Sequence, residues 1–169
     1  MIIALTGTPG VGKHTVSAYV AKKTGYKIVD INLLLRKKHI SEISVERLNK
    51  LVSPLISSNE LIVSHMAHLL KSKKIDFFVV LRCDPRILIK RLKRRGYSDK
   101  KIKENAMFEA IDGEYVESID LHKNVIQIDN SSNYVRTSEF VIKLLSGEKI
   151  RGDNVDYSKY IPLIQTMFG

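Results

Sequence analysis

The seven residues Gly7-Thr8-Pro9-Gly10-Val11-Gly12-Lys13 restrict what this chain can fold into more than any other stretch. They carry the pattern G-x-x-x-x-G-K of a phosphate-binding loop. Glycines in a row also make ordinary turns, so the flanks decide. Ahead of the loop stands the apolar run Met1-Ile2-Ile3-Ala4-Leu5, read as a buried strand over residues 1–6. Behind it, Val16, Tyr19 and Val20 fall at helical spacing in Lys13–Lys23, and Gly25 suits the helix end. Strand, loop and helix in this order turn successive backbone N–H groups into one concavity, and the helix N-terminus adds free donors and positive potential. Gly7, Pro9, Gly10, Val11, Gly12 and Lys13 are therefore the expected contacts of a nucleotide's phosphates, with the Lys13 ammonium reaching the terminal ones. The position after the lysine, where a hydroxyl usually holds magnesium, is His14, and Thr15 follows. His14 is expected beside the phosphates. Thr15 is expected near the α-phosphate and is the candidate hydroxyl for the metal.

The rest of the chain alternates strand and helix patterns. Tyr26–Val29 reads as a second strand. Asp30 can cap a helix over Leu33–Lys38, and Ser44 another that runs to about Val52 before Pro54 stops it. Leu61–Val63 and Phe77–Leu81 are compact buried-strand candidates. Asp84 followed by Pro85 is a good helix start, with Ile87, Leu88 and Leu92 facing inward and Gly96 ending the helix. Ser98 opens a further helix through Ile102, Ala106 and Ile111; Asn124–Ile128 is the last strand, and Val135–Leu145 the last clear helix. Five strands separated by helices imply a three-layer α/β fold, a parallel sheet with helices on both faces. Residues 148–169 have little periodicity and read as an extension over the domain, with a partner-binding tail as the alternative.

At 169 residues the chain suits one domain, and its 44% hydrophobic and 27% charged residues are ordinary for a soluble protein. No apolar run reaches membrane-spanning length. The apolar start lacks a basic leader and reads as a strand rather than a signal peptide. Cys83 is the single cysteine, so no internal disulfide forms and a cytoplasmic setting is expected. The net charge of +10 attracts polyanions such as nucleotides, RNA or the ribosome surface, with a solvated basic surface as the alternative. Its densest patch is Lys90-Arg91-Leu92-Lys93-Arg94-Arg95. With 7% aromatics and no tryptophan, a single-strand stacking platform is poorly supported.

Taken with the loop, Val80-Leu81-Arg82-Cys83-Asp84, Arg91-Leu92, Arg95-Gly96-Tyr97, Lys100-Lys101-Ile102, Glu104-Asn105 and Glu109 resemble the sixth adenylate kinase isoenzyme family in its archaeal form. That family includes the nuclear adenylate kinase/ATPase of small ribosomal subunit maturation. The resemblance covers roughly residues 1–145 and implies a P-loop NTPase fold that uses ATP and Mg2+. It implies a monophosphate-binding segment at about 32–52, with Asn32 and Arg36 on AMP, and a short lid at about 95–108. Arg91 and Arg95 would face the adenine and phosphates of ATP. The loop Asp129-Asn130-Ser131-Ser132 would cradle adenine. His65 would match the histidine of an acid-x-His segment after the third strand, at the carboxyl edge where ligands bind.

Two departures from that pattern stand out. His14 replaces the hydroxyl residue, and Val63 occupies the place of the acid, which leaves Asp30 and Asp84 as candidates to supply a carboxylate. His65 and His68 have no third neighbour in the sequence to complete a zinc site. The first functional expectation is transfer of the ATP γ-phosphoryl group to AMP by a monomer. The second, implied by the resemblance, is an ATPase of ribosome assembly that works with ribosomal protein uS11 and small-subunit rRNA. A nucleotide-dependent binding module without turnover is a third. The acceptor stays open, since dAMP, CMP, thymidylate or shikimate suit the same scaffold.

Overall fold

A computed structural model describes residues 1–169. Five strands, β1 (Ile2–Thr6), β2 (Lys27–Asp30), β3 (Glu60–Val63), β4 (Phe77–Arg82) and β5 (Val125–Asp129), form one sheet in the order β2-β3-β1-β4-β5. Every pairing is parallel, so all five carboxyl ends reach the same edge. The central strand β1 feeds the phosphate loop, which places it at the middle of that edge.

Alternation along β1 divides the core. Ile3 and Leu5 face one layer, with Val16 and Val20 of α1 (Lys13–Thr24), Leu88 and Leu92 of α4 (Pro85–Arg94), and Val141 and Leu144 of α7 (Tyr134–Leu145). Ile2 and Ala4 face the other, with Ile31 and Leu35 of α2 (Ile31–Lys37) and Leu48 and Val52 of α3 (Val45–Val52). A period of two in a strand sends successive side chains to opposite faces, which is why four consecutive apolar residues, Ile2–Leu5, serve two cores.

The caps read from the sequence form. Asp30, Ser44, Asp84 and Ser98 each accept a backbone N–H at the start of α2, α3, α4 and α5 (Asp99–Ala110). Gly25 closes α1 with a left-handed backbone, φ 76°. Other expectations need correction. The helix opened by Ser98 forms, with Ile111 as its cap; Asp112 then turns left-handed at φ 58° and a further helix, α6 (Gly113–Leu121), begins where the sequence offered none. The extension is not irregular throughout: residues 161–168 form α8 (Ile161–Phe168), whose Ile164 is fully buried in the first core layer. No helix is long and apolar enough to cross a membrane.

Candidate functional site

The loop between β1 and α1 has positive φ at Gly7 (133°), Gly10 (98°) and Gly12 (105°). A side chain at Gly12 would also strike the Asn130 amide, and one at Gly7 the Leu81 carbonyl. Glycine is therefore demanded twice over, by conformation and by space. The loop is the wall of a cleft of about 700 Å³. Its lining draws Pro9, Gly10, Gly12, Lys13, His14 and Thr15 from the loop and α1, Asn32, Leu35, Arg36, Ile40 and Ile43 from α2 and the turn after it, and His65, Arg95 and Tyr97 from beyond β3 and α4.

Lys13 is almost wholly buried, donating to the Gly7 carbonyl and, at 3.1 Å, to the Thr8 carbonyl. Burial lowers its pKa to about 8, against the pull of Glu114 and Glu109, and Arg95 lowers it further. An incoming phosphate reverses the burial penalty, because it supplies the opposite charge at contact distance.

Behind the loop lies an ionic layer that sequence reasoning did not assign a role. Glu109 of α5 accepts from Thr8 Oγ1 (2.6 Å), Arg82 Nε (2.8 Å) and the Cys83 N–H (3.1 Å). Arg82, 1% exposed, also donates to Gln127 (2.6 Å), the Glu109 carbonyl (2.9 Å) and Asp112. Burial pushes the Glu109 carboxyl above its ordinary value, while Arg82 and Thr8 pull it back. Glu114 of α6 accepts from the Gly7 N–H (3.0 Å) and Thr6 Oγ1, and lies 2.9 Å from His68 Nδ1. Burial alone would raise the Glu114 carboxyl; His68, Thr6 and Lys13 outweigh it and hold it low. Arg82 and Glu109 sat in the stretch that carried the family resemblance, which was the available signal. Glu114 had none, being one acid among several in a weakly periodic segment.

The other sequence-derived residues divide into those that reach the cleft and those that do not. Arg36 and Arg95 line it, are exposed, and have no carboxylate partner in the chain. Asn32 lines it too and accepts from Ser64 Oγ at 3.0 Å. His65 lines it with its pKa lowered by burial and then by Lys13, so it is neutral near pH 7. Arg91 is elsewhere. Its guanidinium bridges the Val11 carbonyl (3.3 Å) to those of Asn130 (3.3 Å) and Ser131 (2.8 Å). It ties the phosphate loop to the turn after β5 rather than standing free for phosphate. Asn130 adds a second tie, Nδ2 to Val11 O at 2.8 Å, and leaves its Oδ1 buried without a partner. The Asp129 carboxylate is occupied by the Ser131 N–H (2.9 Å) and the Tyr157 hydroxyl (2.9 Å). Of the residues expected in the lid, Arg95 and Tyr97 line the cleft, while Ile102 and Ala106 are buried in the body of the domain.

Magnesium, implied by the fold, can be tested against the donors present. No three His, Cys, Asp or Glu side chains gather to hold an ion. Asp30 spends one oxygen on the Leu33 N–H (2.9 Å) and the other on His14 Nε2 (2.9 Å). Asp84 caps α4 and binds Arg86 and Tyr160. Val63 is fully buried. The residues fit an ion that arrives on nucleotide phosphates, with Thr15 and Asp30 as nearby oxygens; they do not form a cage of their own.

Residues 3–117 match the family model described as an AAA domain. A protein named "Putative adenylate kinase" from Pyrococcus abyssi is 36% identical over 172 residues, spanning 94% of this chain and 92% of its own length. One of the same name from Pyrococcus furiosus is 37% identical with the same coverage. The crystal structure of shikimate kinase from Bacteroides thetaiotaomicron superposes with a TM-score of 0.59 at 16% identity, covering 88% of this chain and 99% of that one, a likeness of fold. With its loop, its five-stranded order and relatives matched over nearly its whole length, the chain belongs to the archaeal P-loop family of proteins that bear the adenylate kinase name.

Proposed function

We propose that this chain is an adenylate kinase that transfers the ATP γ-phosphoryl group to AMP, giving two ADP. The observation that carries this reading is one cleft lined by the phosphate loop and by two exposed guanidinium groups without carboxylate partners, Arg36 of α2 and Arg95 after α4. Two anionic substrates held face to face need cations from both sides, and phosphoryl transfer needs positioning and charge neutralisation more than a covalent partner. The bond from the γ-phosphorus to its bridging oxygen breaks as the bond to an AMP phosphate oxygen forms. That oxygen is already an anion, so no side chain has to take a proton. Neutral His65 then serves as a hydrogen-bonding group of the cleft rather than an essential base.

The loop amides and Lys13 hold the β- and γ-phosphates. Arg36 binds the acceptor phosphate, and Arg95 meets the charge spread over the group in flight, where a planar guanidinium grips two oxygens at once. Bound magnesium supplies further neutralisation of the triphosphate. The turn Asp129–Ser132 receives the base through its backbone groups. The test is an acceptor screen in which each nucleoside monophosphate, with shikimate as an outsider, is incubated with ATP and Mg2+. ADP formation that depends on AMP is the expected result; turnover with another acceptor and none with AMP would overturn the assignment.

The finer link to isoenzyme 6, and to small-subunit maturation with uS11 and rRNA, has the sequence resemblance and the +10 charge behind it. ATP hydrolysis indifferent to AMP, together with a stable uS11 complex, would favour that role. ATP binding without turnover would favour a binding module.

A further inference from the structure

The turn proposed to receive the base is not self-supporting. Its first residue, Asp129, has its N–H bound to Asp153 Oδ2 at 2.9 Å and its carboxylate bound to the Tyr157 hydroxyl at 2.9 Å. Ser131 Oγ also donates to Asp129, accepts from the Asp84 N–H at 2.8 Å, and lies 3.2 Å from the same tyrosine hydroxyl. Tyr157 thus sits at the hub of the turn, although it lies 26 residues from Ser131 in the chain.

The segment that brings it there is itself fastened along the open edge of β5. The Asp153 N–H donates to the Gln127 carbonyl at 2.9 Å, as an edge strand would. Gly152 approaches β5 so closely that a side chain there would strike the Gln127 carbonyl. Arg136 of α7 holds both Asp153 oxygens, at 3.0 and 2.6 Å. Further on, the Tyr160 hydroxyl binds Asp84 at 3.1 Å, and Ile164 anchors α8 in the core. The Tyr157 ring is buried, its face 5.5 Å from the Arg82 guanidinium carbon, so the strap also rests on the ionic layer behind the phosphate loop.

We infer that residues 151–160 are a positioning strap for the nucleotide base, with Tyr157 setting the conformation of the Asp129–Asn133 turn. The inference rests on the reading that this turn receives the base. The phosphates meet other groups, so the strap governs the affinity added by the base and leaves the affinity of the phosphate tail alone. Tyr157 touches no reacting atom; it is a positioning residue.

The test compares ATP with inorganic tripolyphosphate, by calorimetry on the full chain, in wild type, Tyr157→Phe and Asp153→Ala. Tyr157→Phe keeps the ring on Arg82 and removes one hydroxyl. Asp153→Ala removes the acceptor of the Asp129 N–H from the other side of the turn. The expected result in both is a Kd for ATP raised about three- to tenfold, the loss of one or two hydrogen bonds, with the Kd for tripolyphosphate unchanged. Equal weakening of both ligands, or no weakening of either, would overturn the strap as a base-positioning device and leave it a structural brace. Wild-type protein that binds tripolyphosphate as tightly as ATP would instead sink the base-site reading itself.

Discussion

Behind the phosphate loop, Arg82 is 1% exposed and its donors go to Glu109, Gln127 and Asp112; in front of it, Arg36 and Arg95 reach into the cleft without a carboxylate partner. The same side chain does opposite jobs on the two sides. At the back, burial makes an unpaired charge costly, so all three guanidinium nitrogens are engaged and the loop has a fixed floor. At the front, a guanidinium bound in advance would have to be prised from its partner before it could bind phosphate. Exposure keeps it hydrated and available, and the substrate supplies the partner.

The sharpest way to break this contrast is to remove the buried cation. Arg82→Met leaves Glu109 buried without its partner, and the expected loss is about 3–5 kcal/mol of stability. Urea denaturation followed by circular dichroism measures it. Arg36→Ala in the same experiment leaves the midpoint in place. If Arg82→Met unfolds no more easily than Arg36→Ala, the floor behind the loop is not held by its ion pairs.

Lys13 belongs to both sides, since it is buried like Arg82 yet has to meet substrate. Lys13→Ala removes the cation at the terminal phosphates, and turnover is expected to fall about a thousandfold, in the upper range for the loss of one preorganised electrostatic group. The fold should persist, because the carbonyls of Gly7 and Thr8 that the ammonium caps can take water instead. A coupled assay for ADP, read beside the circular dichroism spectrum, separates the two effects. Ordinary turnover in the folded variant would exclude this mechanism.

At the front, Arg36→Ala sharpens the comparison. One charge-assisted contact to the acceptor phosphate is worth about 1.5–3 kcal/mol, so KM for the monophosphate should rise about ten- to a hundredfold. KM for ATP should hardly change, because Arg36 stands on α2 and not on the loop that holds the ATP phosphates. Equal rises in both constants would place Arg36 in the general field of the cleft rather than on the acceptor.

The division between what the sequence disclosed and what it hid follows the same line. The loop, the strand alternation and four helix caps are local features, each readable within about five residues. Arg36 and Arg95 were legible only through the family resemblance, which implied cations at those positions. The committed charges were not. Glu109 reaches Arg82 across 27 residues, and Glu114 reaches Gly7 across 107, and nothing near either acid marks it as buried. The helix α6 shows the cost in the fold reading, because it starts after the left-handed Asp112 and carries too weak a periodicity to be read beyond the helix through Ile111. The extension misled for a related reason. Its order comes from contacts with β5 and α5 made through Asp153, Tyr157 and Ile164, not from a periodic face of its own.

The gentlest perturbation is of pH, and it reads the floor without a substitution in the cleft. Burial alone would lower the pKa of His68, but its contacts with Glu114 at 2.9 Å and Glu117 at 3.0 Å outweigh burial and raise it above 6.5. A histidine raised on folding lends stability in full below its unfolded value, and that stability is lost as pH climbs through the folded one. Glu114 has the opposite sign: its folded pKa lies below 4.5, so its contribution is full above that value and is lost as pH falls through the lowered one. The pair is therefore worth most between about pH 4.5 and 6.5, where both partners are charged. Melting temperature should decline from pH 6 toward pH 8 in the wild type, and His68→Gln should flatten that part of the curve. A variant that keeps the full decline would mean that the titration belongs to another group, and that His68 sits beside Glu114 without sharing its charge.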